Sequence, residues 1–181
     1  MCKNMSVQAT YEKYREQLKS MLRGCDLVVG VIGQPNVGKS SLFNVLTGKT
    51  EHVGNFPGKT VAIAVGRRMY RGRNICFGGL PFIYGLQASS AEEVVARDFI
   101  LSGVADVMLV LVDGLNIGRT LYIALQVAQL TGRLVIAVTK WDALHAKGVP
   151  VNLDALSSFF KAPVIPVSAF TGEGVERLIE E

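Results

Sequence analysis

From Leu27 onward, short apolar runs alternate with stretches of mixed polarity long enough for helices. The runs Leu27–Ile32, Val61–Met69, Asn74–Phe77, Val107–Val112, Leu134–Val138 and Val164–Val167 have the length and β-branched character of strands. Between them, residues 39–47, 91–102, 119–131, 152–160 and 173–180 read as helices. Strands separated by helix-length connections imply βαβ units. The predicted fold is therefore α/β, a mainly parallel six-stranded sheet with helices on both faces. One pair breaks the rule: around Arg71-Gly72-Arg73-Asn74 there is no room for a helix, which predicts a hairpin and one antiparallel edge strand. Upstream, residues from about Val7 to Arg23 read as a charged, moderately amphipathic helix. This divides the chain into an N-terminal helical extension, 1–25, and a single domain, 26–181. The sequence stops at Glu181 inside its predicted last helix, so it reads as part of something longer.

Composition changes this picture little. With 181 residues, 49% apolar and 19% charged, the chain suits one globular domain with a buried core. A mean hydropathy of +0.32 fits buried parallel strands. No run reaches the roughly 20 apolar residues of a membrane helix, and no signal-peptide core is present. The net charge of +4 is scattered apart from Arg67, Arg68, Arg71 and Arg73, and is read as suiting a phosphate ligand rather than nucleic acid. Cys2, Cys25 and Cys76 show no metal-site spacing, so free thiols are expected. His52 and His145 are isolated and are expected at the surface or in loops, not as ligands.

The chemistry begins at Gly33-Gln34-Pro35-Asn36-Val37-Gly38-Lys39-Ser40, which fits GxxxxGK[ST] between an apolar strand and a helix. Such a loop turns successive backbone N–H groups, and the helix N-terminus, toward phosphate oxygens. Gly33, Asn36, Val37, Gly38, Lys39, Ser40 and Ser41 are thus candidate phosphate-loop residues. Lys39 is expected to neutralise the β- and γ-phosphates and Ser40 to ligate Mg²⁺. Thr139-Lys140-Trp141-Asp142 follows the strand Leu134–Val138 and resembles the NKxD base-reading motif of G proteins, with Thr in place of Asn. Asp142 would accept from guanine N1–H and the 2-amino group, and the Lys140 stem would lie over the base. Adenine lacks that donor pair and would leave the carboxylate unpaired. Ser168-Ala169, after another strand, resembles the motif whose Ala N–H meets guanine O6. Three motifs at successive strand ends predict a guanine-nucleotide site at the carboxyl edge of the sheet.

The resemblance then narrows. Asn55-Phe56-Pro57-Gly58-Lys59-Thr60-Val61 is similar to the switch I segment NxPGxTV of the ferrous-iron transport protein B family, and Leu80-Pro81 with Ile83-Tyr84-Gly85-Leu86 to its switch II, DLPGxYxL. Ala96–Leu101, Val112–Asn116, Thr120-Leu121-Tyr122 and Leu125-Gln126 continue the resemblance, which runs over residues 27–181. It implies a GTPase domain binding GTP or GDP on the cytoplasmic face of a membrane protein that imports Fe²⁺. A helical regulatory domain and a transmembrane region would follow. It also implies that Thr60 completes Mg²⁺ coordination and meets the γ-phosphate; the plainer alternative is a β-favouring residue entering a strand. Asn36 stands where potassium-stimulated members of the wider class place an Asn that helps hold K⁺; the alternative is an Asn chosen for its loop conformation. Two positions depart from the family pattern. The switch II Asp and Gly fall on Gly79 and Phe82, which puts GTP hydrolysis and γ-phosphate sensing in question. A hydrolysis-deficient nucleotide-binding interaction module and a ribosome-associated GTPase are the alternatives.

Overall fold

The structure is a computed structural model that describes residues 12, 15–48, 52–56 and 60–181. Among the described residues the sheet has seven strands: β1 (Leu27–Gly33), β2 (His52–Asn55), β3 (Ala62–Tyr70), β4 (Arg73–Gly79), β5 (Val107–Asp113), β6 (Leu134–Thr139) and β7 (Val164–Pro166). The order across the sheet is β2-β3-β4-β1-β5-β6-β7. All pairings from β4 to β7 are parallel, and β3 pairs antiparallel with both β2 and β4. One strand therefore runs against the rest, as the hairpin predicted, but the unpredicted β2 lies outside it at the edge. The hairpin turn is two residues, Arg71 and Gly72, at φ 47° and 77°. Positive φ at both central positions gives a turn whose twist matches the strands it joins.

The helices are α1 (Lys39–Thr47), α2 (Ala91–Ser102), α3 (Ile117–Leu130), α4 (Trp141–Ala146), α5 (Leu153–Phe160) and α6 (Val175–Glu180). Helix α2 starts where its sequence says it should. Ser90 accepts from the Glu93 N–H while the Glu93 carboxylate takes the Ser89 N–H and hydroxyl, satisfying free donors of the first turn. Alternation along the central strands sorts side chains between two cores. Val28 and Ile32 face a layer built from α2 and α3, whose Phe99, Ile123 and Val127 are almost wholly buried. Val29 and Val31 face Leu42, Phe43 and Leu46 of α1 and Leu178 of α6. Residues 12 and 15–21 are helical, residues 22–24 form a turn where the predicted helix ran on to Arg23, and Leu18 and Leu22 join the first layer; residues 7–11, 13 and 14 of the predicted extension helix lie outside the described residues.

The expectation of free thiols fails for two of the three cysteines. Cys25 and Cys76 form a disulfide, with 5.7 Å between their Cα atoms. Cys25 enters β1 and Cys76 lies in β4, and these strands are neighbours with Leu27 opposite Ile75. The pairing is created by sheet order, of which a sequence separation of 51 gives no sign. Cys2 lies outside the described residues. The basic cluster is partly neutralised: Arg68 pairs with Glu176 at 2.7 Å and Arg71 with Glu180 at 3.0 Å, so the hairpin tip grips α6.

Candidate nucleotide site

Strand β1 delivers the phosphate loop. Gly33 ends the strand under tight steric limits: a Cβ there would lie 2.8 Å from the Val37 side chain and 3.2 Å from Leu111 Cβ. The loop then turns through two left-handed residues, Asn36 at φ 64° and Gly38 at φ 87°, before Lys39 opens α1. Asn is among the few residues with a side chain that accept this conformation, so Asn36 suits its place in the loop. Ser40 and Asn36 are exposed, while Val37 is fully buried beneath the loop.

The base-reading segment is tied to the phosphate loop by the residue that departs from the usual motif. Thr139 is buried, and its hydroxyl donates to the Val37 carbonyl at 2.5 Å, with the Val112 carbonyl at 3.2 Å. Lys140 sits in the left-handed region at φ 55°, and its ammonium donates to Asp113 at 2.8 Å. Asp113, at the end of β5, is 2% exposed. It also accepts from the Leu115 N–H and the Asn116 side-chain amide. Burial pushes its carboxyl up, but the Lys140 hydrogen bond and the two amide donors outweigh that and hold it below the usual range. The Trp141 N–H donates to the Val167 carbonyl, joining this segment to the next loop. There, Ser168 is buried and its hydroxyl accepts from the Thr171 N–H. Gly174 closes that loop at φ 74°, where a Cβ would collide with the Pro166 carbonyl oxygen, so no other residue fits.

These ties surround a cavity of about 210 Å³ lined by Gly38 and Ser41 of the first motif, Lys140 and Asp142 of the second, and Ser168 and Ala169 of the third. Thr139 also lines it, but its hydroxyl is spent between loops. Gly33, Asn36, Val37, Lys39 and Ser40 belong to the adjoining phosphate loop. Thr60 is exposed ahead of β3; the switch I residues Pro57, Gly58 and Lys59 lie outside those described. The hydroxyls of Ser40 and Thr60 are hard oxygen donors of the kind Mg²⁺ takes. Two hydroxyls fit an ion whose remaining ligands come from nucleotide phosphates and water. His145 is exposed, as expected; nothing is described of the His52 side chain.

Switch II, from Leu80 to Leu86, lies against the phosphate loop. The Leu80 N–H donates to Val31 at 2.9 Å and the Ile83 N–H to Gly33 at 3.4 Å. Its far end is pinned to α3, where the Gln126 amide oxygen accepts from the Leu86 N–H at 2.8 Å and its nitrogen donates to the Tyr122 hydroxyl at 3.1 Å. Two contacts escaped the sequence reading. The Lys39 ammonium donates to the Leu80 carbonyl and lies 4.3 Å from the centre of the Phe82 ring. Neither was legible, because both depend on how switch II folds back. Asp113 was legible only as part of a resemblance, although an acidic residue at a strand's carboxyl end was a signal in itself.

A glycine-rich loop between β1 and α1, with two further motif loops at the carboxyl edge of a mostly parallel sheet, defines the class: this is a P-loop NTPase fold of the G-domain type. The family profile described as ferrous iron transport protein B matches residues 27–181, and the chain belongs to that family. It is 36% identical over 156 residues to the Fe(2+) transporter FeoB of Escherichia coli (strain K12), covering 84% of this chain and 20% of that protein. The Salmonella typhimurium (strain LT2) transporter matches to the same extent, 36% over 156 residues. The chain thus spans 20% of the length of these curated relatives. Among solved structures, the T. maritima FeoB G domain superposes with a TM-score of 0.79 at 37% identity, covering 85% of this chain and 94% of that one. The T. maritima FeoB cytosolic domain in its GMPPNP form gives 0.82 at 38%, covering 85% and 61%. A point mutant of S. thermophilus NFeoB bound to GDP gives 0.79 at 37%, covering 85% and 59%. Family membership displaces the ribosome-associated alternative.

Proposed function

We propose that this domain binds GTP and GDP, discriminates guanine from adenine, and serves as the cytoplasmic nucleotide-sensing part of a ferrous-iron membrane transporter. Residues 1–25 would extend it, with a helical regulatory domain and a membrane region elsewhere in the protein. The observation that carries the reading is the convergence of Ser41 at the start of α1, Asp142 at the start of α4 and Ala169 in the loop after β7 on one cavity beside the phosphate loop. Relatives bound to GDP or in a GMPPNP form support it. Asp142 would read the guanine edge, Lys140 would flank the ring under the control of Asp113, and Ala169 would offer its N–H to O6. Lys39 would meet the β- and γ-phosphates. Ser40 and Thr60 would hold Mg²⁺, which supplies charge neutralisation at the phosphates when bound.

Hydrolysis is the part we read as weakened. Gly79 offers no carboxylate to orient a Mg²⁺-bound water, and Phe82 replaces the glycine whose backbone would approach the γ-phosphate. Outer-shell partners of this kind are worth about 10- to 100-fold in affinity or activity. The domain should bind GTP no better than GDP and turn over more slowly than the ~10⁻⁴ s⁻¹ of an unassisted small G protein. A binding module without hydrolysis is the second reading, favoured by the same Gly79. Displacement of fluorescent GDP tests the main claim: unlabelled GDP should compete, and ADP at the same concentration should not. Equal competition by both would refute the guanine assignment.

A further inference from the structure

Phe82 does more than fill the place of a glycine. The residue is 44% exposed, yet its ring does not hang free: the Lys39 ammonium stands 4.3 Å from the ring centroid. Its neighbours fix it there. Leu80 is completely buried and bonded to β1, and Ile83 is 2% exposed with its N–H toward Gly33. Pro81 between them removes a backbone freedom. The segment is thus anchored on both sides of Phe82, with the Leu80 carbonyl also accepting from Lys39. An ammonium over an aromatic face and against a carbonyl oxygen has found electrostatic partners of the kind it would otherwise seek in phosphate oxygens.

We propose that Phe82 is a specificity-determining residue of phosphate recognition: with the Leu80 carbonyl, its ring occupies the Lys39 ammonium, so an incoming β- or γ-phosphate must take that lysine from switch II. The inference rests on the reading of this site as a GTP/GDP site. When a group must leave one partner to reach another, apparent affinity falls by the fraction of molecules in which it is available. The cost applies to every nucleotide that reaches Lys39, diphosphate and triphosphate alike. With Lys39 assigned to the β- and γ-phosphates, a monophosphate would not reach it and would be spared.

The test uses the full chain, two variants and three nucleotides. Phe82→Leu keeps apolar bulk but removes the π face; Phe82→Ala removes both, and the exposure of the site makes either compatible with folding. Titrations with GDP and GMPPNP should show affinity rising about three- to tenfold in both variants, the scale of a lost cation–π contact. Affinity for GMP, measured by competition, should not change. Unchanged or weaker GDP binding in Phe82→Leu would overturn the proposal, as would an equal gain for GMP. Failure of the unaltered protein to bind GDP at all would be a different result, refuting the site's assignment as a nucleotide site.

Discussion

The base side and the switch side of this site are built by different means. On the base side, each loop leaves the end of a buried parallel strand and is cross-tied to the next: Thr139 to Val37, Lys140 to Asp113, Trp141 to Val167. All of these ties join positions on β1, β5, β6 and β7 or the loops they feed. On the switch side, Leu80–Leu86 crosses the phosphate loop, with two backbone bonds to β1 and one to the Gln126 side chain on α3. The Lys39 ammonium, at the start of α1, joins the phosphate loop to this segment through the Leu80 carbonyl and the Phe82 ring. On the proposed reading, recognising the base and sensing the last phosphate fall to separately built parts of this site. The first part is tied from one strand end to the next; the second is a single loop laid against β1 and held to α3.

The comparison breaks most visibly at Asp142. Asp142→Ala should cost about 3 kcal/mol of guanine selectivity, roughly two orders of magnitude in the GDP-to-ADP affinity ratio. The far-ultraviolet circular dichroism should be unchanged. A variant that keeps its preference would place base recognition outside the strand-end loops.

On the switch side, the informative step is to restore the missing carboxylate. Adding Gly79→Asp to Phe82→Gly, and comparing with Phe82→Gly alone, should raise GMPPNP affinity about 10-fold or more while leaving GDP binding level. A Cβ at position 79 would lie 3.2 Å from the Phe43 ring and 3.4 Å from Ala64 Cβ, so that ring must give by a few tenths of an ångström. The melting temperature of both variants serves as the control. If GMPPNP affinity and hydrolysis stay where they were, the carboxylate was not what switch II lacked.

The smallest effect belongs to Asn36. A role for Asn36 in holding K⁺ would make hydrolysis faster in KCl than in NaCl at matched ionic strength, and Asn36→Ala would erase the difference. Since Asn suits the left-handed backbone there in any case, we expect at most a few-fold effect, on the scale of a neutral hydrogen bond. Equal rates in both salts would leave conformation as its whole role.

Much of this was readable in the chain because the periodic elements are strongly patterned. The six predicted strands and five predicted domain helices all exist, α2 running from Ala91 to Ser102. Strand β2 was missed because its four residues, His52–Asn55, carry a glycine and no alternation long enough to register. Helix α4 was missed because its six residues begin inside a motif that reads as a loop. The motif residues were legible because their chemistry depends on short spacing. The Cys25–Cys76 bond and the Lys39–Phe82 contact were not, since both arise where chain segments distant in sequence are brought side by side.

That disulfide also divides the site topologically. The bond closes a covalent ring from Cys25 to Cys76. Inside the ring lie the whole phosphate loop, α1 and Thr60; outside lie switch II and every residue assigned to the base. In an unfolded chain the ring stays closed, and its lost entropy amounts to roughly 4 kcal/mol for a loop of this size. The denatured state of the phosphate half is therefore a tethered loop, while that of the base half is open polymer. A reductant would enlarge the conformational space available to one half and leave the other as it was.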